Sequence, residues 1–403
     1  MTLASSELTA SSTAPRTARP SAGPTTPIWI VVGLIGWGSI AALAATMLAN
    51  RPPTAGFDLE LLIEAGRRVA QGQSPYDPAI LAGASPSAES LFYSYPPPVA
   101  QVMRLFGGLA PQVALGVWAL GATAAMVAAG VAVARRTGAR GNAREIALPL
   151  LAVLPFVFPF AVALLFGNLD AWFPALYGLM LLSAIQQRER RPALAAGAAL
   201  AVAALAKLYP ASLGLWFLLR GWTGRRVVGI ALAVGAAFVA ASLLAGGVDP
   251  WRDYAAVIRA GAGAELLDAR NVGPAVQLGL MAGLDEAGVR TLQLAVSLAA
   301  LAITALVALR WRDQLESLTW AAIASLVVLP VTWFHYPAAL IPFGVAAVAR
   351  AEVGDPSRRT PVRLLAAASV AVSVIAVGAA ALVWIAVALL VAAVHVSAPV
   401  TPD

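Results

Sequence analysis

The sequence predicts an all-α protein that threads a membrane about twelve times, and three observations support this. Of its 403 residues, 60% are hydrophobic and only 12% are charged, roughly half the charge share of a soluble domain. Apolar runs of roughly twenty residues recur along the whole chain, as bilayer-crossing helices require. Arginines gather in alternate connections between those runs, and such placement sets orientation in a bilayer. The net charge of +7 is therefore read through that placement, not as a nucleic-acid signal. There is no cysteine, which excludes disulfides, thiolate metal sites and cysteine nucleophiles.

Residues 1–26 are rich in Ser, Thr, Ala and Pro and read as a disordered cytoplasmic tail. The run 27–49 is too long for a removable signal peptide and lacks a convincing cleavage site, so it is the first crossing. Further segments are expected at 111–134, 146–166, 169–185, 192–206, 208–219 and 227–247. The series continues at 290–309, 317–334, 336–349, 363–378 and 380–396. Together they form one transmembrane domain over 27–396, followed by a cytoplasmic tail at 397–403. The stretch 208–219 is too short to span alone, and 363–396 reads as one bent or two separate crossings.

Connections 135–144, 186–191, 220–226, 310–313 and 350–363 hold sixteen arginines, so the positive-inside rule makes them cytoplasmic, with Arg16 and Arg19 of the tail. The alternate connections then face outward, and two of them are long, 50–110 and 248–289. Each can form short interfacial helices. In 57–71, Leu59, Leu62, Ile63, Gly66 and Ala70 share one helical face, and Glu60, Glu64, Arg67, Arg68 and Gln71 take the other. Such a helix lies at an interface with its apolar side down.

Sorting the rare polar residues by side is informative. Asp58, Tyr95, Asn168, Asp170, Lys207, Tyr209, Arg270, Asn271 and His335 come from distant connections, yet all map to the outer surface or the outer ends of helices. Lys207 is the only lysine, set in an alanine-rich run. Charged groups in membrane segments are costly and usually functional, so their convergence predicts one site. Each also has a structural reading. Asp58 would cap a helix, Lys207 would snorkel to headgroups, His335 would join an interfacial belt and Asn271 would cap a local turn. Arg67 and Arg68 would pair with Glu64, and His395, at the end of the last crossing, reads as structural. No GxSxG, HExxH or nucleotide-binding glycine loop is present, which argues against a nucleotide-driven pump or a nucleotide-sugar enzyme. A transporter or flippase for lipids or solutes is the rival class. Against it, no internal repeat is evident and the polar residues lie at the outer edge, not mid-span.

An acidic residue opening an amphipathic helix, then GQSPYDP (72–78) and YSYPPP (93–98), resembles glycosyltransferase family 87. So do Gly167-Asn168, KLYP (207–210), Arg270-Asn271 and TWFHYP (332–337), in order over roughly residues 30–350. The chain departs from the family at Gly167-Asn168-Leu169-Asp170, where the family often shows Gly-Gln-x-Asn. The resemblance implies a fold of the GT-C superfamily in the plasma membrane, with cytoplasmic termini and an extracytoplasmic site. It implies transfer of a sugar, typically mannose, from a polyprenyl-phosphate donor to a glycolipid or polysaccharide acceptor. The family's catalytic base is an aspartate of the first outer loop, which Asp58 matches; the helix dipole would hold it ionised. Lys207, Arg270 and His335, assisted by Arg67 or Arg68, are the candidates for stabilising phosphate, and Tyr76, Tyr95 and Trp333 for packing on sugar. The scheme expects membrane lipids as surroundings, no nucleic acid, and neither metal nor cofactor.

Overall fold

The computed structural model describes residues 26–50, 54–84, 92–186, 190–261, 266–268, 270–376 and 379–399. The expected N-terminal tail up to residue 25, with Arg16 and Arg19, lies outside the described residues, as do Arg188 and residues from 400 onward. The first crossing is α1 (Thr26–Ala49), and the first long connection carries α2 (Phe57–Ala70), α3 (Pro78–Leu81) and α4 (Pro97–Met103). Next come α5 (Pro111–Thr137), α6 (Ala143–Val153), α7 (Phe158–Phe166), α8 (Phe173–Ile185), α9 (Arg190–Ala206), α10 (Leu213–Leu219) and α11 (Gly221–Gly246). The second long connection carries α12 (Asp249–Gly261) and α13 (Pro274–Met281). The chain ends in α14 (Glu286–Arg310), α15 (Gln314–Val327), α16 (Ile341–Val353), α17 (Pro356–Ile375) and α18 (Ala380–Ser397). The protein is an all-α polytopic membrane protein.

Each of the twelve expected segments coincides with helix. Six of the described helices are long and apolar enough to cross a bilayer, or seven if a bent pair counts as one. The bent pair corrects the expected run 146–166. Pro149 lies inside α6, and Pro155 and Pro159 flank a break of 76° before α7. Each proline removes a backbone donor and crowds the preceding turn, the usual cause of a sharp kink. The expected 317–334 is also corrected: α15 starts at Gln314, capped by Asp313, and ends at Val327. This leaves 328–335 as irregular chain except for a single bridge between Asn271 and Trp333. Most of the expected loop 350–363 is helical, because α17 begins at Pro356 under an Asp355 cap. The stretch 363–396 divides between two antiparallel helices, with Ser369 Oγ donating to the Ala386 carbonyl at 2.7 Å.

Without a hydrophobic drive between helices in lipid, packing rests on close approach at small residues. A Cβ added at Gly178 of α8 would stand 3.0 Å from Ala129 of α5. Tyr177, Trp216, Phe217 and Phe343 fill the core between α8, α10 and α16. The apolar windows of α1 and α11 are only 6% and 11% buried, so these two helices form lipid-facing edges.

The helix ends sort into two groups. At one end Arg350 of α16 meets Asp313 at 2.6 Å and Ser397 at 2.9 Å, Arg220 donates to the Trp311 carbonyl at 2.7 Å, and Gly138 meets Val353. At the other end lie the start of α5, the α7–α8 turn, the end of α9 and the chain before α16. There α2 buries Leu59, Leu62, Ile63, Ala65 and Gly66. That face was expected to rest on lipid, but α4 covers it. A Cβ on Gly66 would come 2.6 Å from the Met103 carbonyl carbon, an approach only glycine permits. Ala70, expected on the same face, is exposed.

Candidate active site

The site is built from the turn between α7 and α8. Gly167 ends α7 at φ 68°, and its Cα lies so close to Leu59 of α2 that no side chain fits. The chain then turns through Asn168, whose Oδ1 accepts the Asp170 backbone N–H at 2.9 Å. With Oδ1 so engaged, the amide nitrogen points to α2 and donates to Asp58 Oδ2 at 2.6 Å. Trp118 Nε1 holds the Asn168 carbonyl from α5 at 3.2 Å.

Asp170, fully buried, is the hub. Its carboxylate pairs with Lys207 Nζ at the end of α9 and accepts Tyr209 Oη at 3.0 Å. His335 Nε2, from the chain before α16, stands 3.1 Å from Oδ2. Lys207 Nζ also reaches Asn168 Oδ1 at 3.4 Å and sits 4.5 Å from the centre of the Tyr336 ring. Tyr336 in turn stacks on Tyr209 at 4.7 Å. Four segments distant in sequence thus meet in one cluster, bringing together Asp58, Asn168, Asp170, Lys207, Tyr209 and His335 of the residues sorted to the outer side.

Three structural readings give way. Asp58 does not cap α2, since Gly56 occupies the cap and Asp58 lies inside the first turn. Lys207 does not snorkel, because its side chain is 10% exposed and bound to Asp170. His335 is buried, and its Nδ1 has no hydrogen-bond partner among the described residues. The expectation that the helix dipole holds Asp58 ionised is also corrected. Burial raises its pKa above the usual carboxylate value, opposed by His335, the Asn168 hydrogen bond and Lys207. Burial likewise pushes the Tyr95 hydroxyl up, and that group shares the field of Lys207, Asp58 and Asp170.

Other expected members stand apart. Tyr76 is buried, donates to the Tyr95 carbonyl at 2.9 Å and packs with Tyr93 and Tyr254, so it supports Tyr95 rather than offering a sugar platform. Arg67 donates to the Gly107 carbonyl at 3.1 Å and Arg68 to the Tyr76 carbonyl at 2.8 Å, with Glu64 3.6 and 3.7 Å away. Arg270 is exposed, held by Asp268 at 2.5 Å and poised 5.7 Å from the Trp333 ring centre. That pairing lowers the Asp268 pKa. Asn271 is fully buried and commits its whole amide to backbone. It donates to Leu266 and Pro330 and accepts from Gly273 and Thr332, pinning the second long connection beside His335. Sequence reasoning missed Tyr336, although it adjoins His335 in the same motif. No three His, Asp or Glu side chains converge as a metal site among the described residues; beside Asp170 and His335, the third position is taken by Lys207.

A family model for glycosyltransferase family 87 matches residues 93–332, more than half of the 403-residue chain. The chain belongs to glycosyltransferase family 87. No curated protein matches it. The matched span of this family 87 protein holds Asn168, Asp170, Lys207 and Tyr209; Asp58 lies before it and His335 just after. As a member of the family it is a membrane glycosyltransferase, with a sugar donor and an acceptor as substrates.

Proposed function

We propose that this family 87 protein moves a sugar, mannose foremost, from a polyprenyl-phosphate donor to a hydroxyl of a glycolipid or polysaccharide. Transfer takes place on the extracytoplasmic side of the plasma membrane. The observation that carries this reading is a carboxylate, Asp58, held 2.6 Å from Asn168 at the rim of a buried cluster containing Lys207 and His335. A lipid-phosphate sugar brings its own leaving group, so the protein needs a base for the acceptor hydroxyl and donors for the departing phosphate. Asp58 takes the acceptor proton as the hydroxyl oxygen attacks the anomeric carbon, and the bond to phosphate breaks on the opposite face. A single base of this kind gives inversion, by analogy with inverting glycosidases. Its raised pKa strengthens it as a base.

Lys207 has three N–H donors. Asp170 takes one and Asn168 lies near another, which leaves one for a phosphate oxygen. His335, held beside Lys207 through Asp170, lines the same group. Donors held in a water-poor site act more strongly on developing charge than they do in water. Arg270 and Trp333, at the mouth beside the Asn271 bridge, face the lipid phosphate and sugar as they enter.

The test is transfer of labelled mannose from polyprenyl-phosphate mannose by the protein reconstituted in vesicles. Asp58→Asn is expected to reduce turnover by about 10²–10⁴-fold, the usual share of a general base, with donor binding retained. Near-normal turnover in that variant overturns the assignment of the base. Transfer from a soluble nucleotide sugar instead overturns that of the donor.

A further inference from the structure

We infer that Asn168 is the positioning residue for Asp58: its amide is locked in one orientation by the Asp170 backbone N–H, so that it donates to one carboxylate oxygen and leaves the other for the acceptor. The inference rests on the reading of Asp58 as base and deepens it.

The geometry fixes which way the amide faces. An asparagine amide has one accepting and one donating end. The accepting end is claimed twice by donors that cannot reverse, the Asp170 N–H at 2.9 Å and the Lys207 ammonium at 3.4 Å. Flipping the amide would set its NH2 against both donors and its oxygen against the Asp58 carboxylate. Trp118 fixes the backbone of the same residue from α5, and Asn168 is 4% exposed. Gly167, pressed against Leu59, sets the spacing between the turn and α2. The amide therefore reaches Asp58 Oδ2 along one line, and the carboxylate plane follows.

This contact also opposes the penalty of burying Asp58. The groups facing that carboxylate are Lys207 from the end of α9, His335 from the chain before α16, Asp170 and Asn168 from the α7–α8 turn, and Tyr95 from the first long connection. Burial and Asp170 disfavour the ionised form; His335, the amide and Lys207 favour it. Asn168 is the one neutral group among these that donates directly to it. Removing the donor while keeping the turn should make the carboxylate hold its proton more tightly.

Asn168→Ser keeps an oxygen able to accept the Asp170 N–H, as serine does in equivalent turns, but loses the donor to Asp58. Asn168→Asp keeps the accepting oxygen and replaces the donor with a second carboxylate. Both are read on the full chain in lipid nanodiscs by infrared titration, with the Asp58→Asn spectrum subtracted to isolate the Asp58 carboxyl. The titration midpoint is expected to rise by about one pH unit in Asn168→Ser, the scale of one hydrogen bond to a charged group, and by more in Asn168→Asp. With mannosyl transfer as the second readout, the acidic limb of kcat/KM moves by the same amount, and kcat falls more than donor KM rises. Trp118→Phe loosens the backbone hold but keeps the amide donor, and should move the midpoint less than Asn168→Ser does. Unmoved midpoints in Asn168→Ser and Asn168→Asp overturn the inference. The infrared measurement needs no substrate, so failure to transfer mannose defeats the proposed reaction without touching this result.

Discussion

The two ends of the helix bundle use charge in opposite ways. At the end with Arg220, Arg350 and Arg358, each guanidinium clasps a carbonyl or a single acid on a neighbouring helix end. Arg350 takes Asp313, Ser397 and the Val394 carbonyl, Arg358 the Ala398 carbonyl and Arg220 that of Trp311. These are local latches at helix termini, where cations meet exposed carbonyls. At the other end one buried carboxylate, Asp170, collects Lys207, Tyr209 and His335 from three separate segments. Apolar residues of similar volume commonly replace a buried ion pair without loss of stability. A latch explains the first end, whereas the second calls for a chemical reason, and the proposed transfer is one.

The sharpest way to break this contrast is Asp58→Asn, which should all but abolish transfer, whereas Asp313→Asn at the other end should leave turnover per folded molecule near wild type. Next in size is Asp170→Asn. It leaves Lys207 buried without its partner and should cost about 3–5 kcal/mol in thermal unfolding of the detergent-solubilised protein. Replacing both as Asp170→Leu with Lys207→Met should restore most of that stability but no transfer. If the double variant transfers sugar, the cluster is a latch like its counterpart. Asp313→Asn and Arg350→Ala, which open a partly buried pair, should each cost about 1–3 kcal/mol. The smallest effect is expected of Glu316→Gln, which keeps the side chain's volume, loosens its pair with the exposed His395 and should change stability by less than about 1 kcal/mol.

Acidity offers a further test. Because the Asp58 pKa is raised, transfer should fade as pH drops through that raised value, above the usual carboxylate range. The stability effect has the opposite sense. A raised folded-state pKa means tighter proton binding in the folded protein, so this group favours folding most at low pH. That contribution is lost as pH rises from the unfolded value through the folded one.

Much of this was legible in the sequence because it depends on local pattern. Apolar runs located the helices, and sorting rare polar residues by side brought Asp58, Asn168, Asp170, Lys207 and His335 together before any coordinates. What stayed hidden depends on partners far along the chain. Three prolines in 149–159 announced a disturbance, but a bend of 76° depends on what α6 and α7 pack against. Tyr76 and Asn271 carry the same groups as the clustered residues, and only their burial and committed hydrogen bonds show them holding other parts of the chain. Asp170 looked like one polar residue among several, because its rank as hub lies in three contacts that no spacing encodes.

The Asp58–Asn168 bond joins residues 110 positions apart, and His335 arrives only near the last quarter of the chain. During synthesis, α2 must wait for the α7–α8 turn, and both must wait for the segment before α16. Until then the Lys207–Asp170 pair exists without the His335 imidazole in place. Biogenesis thus carries its own delay: a nascent chain can already be anchored in lipid, yet the cluster around Asp170 stays incomplete until the segment bearing His335 has been inserted.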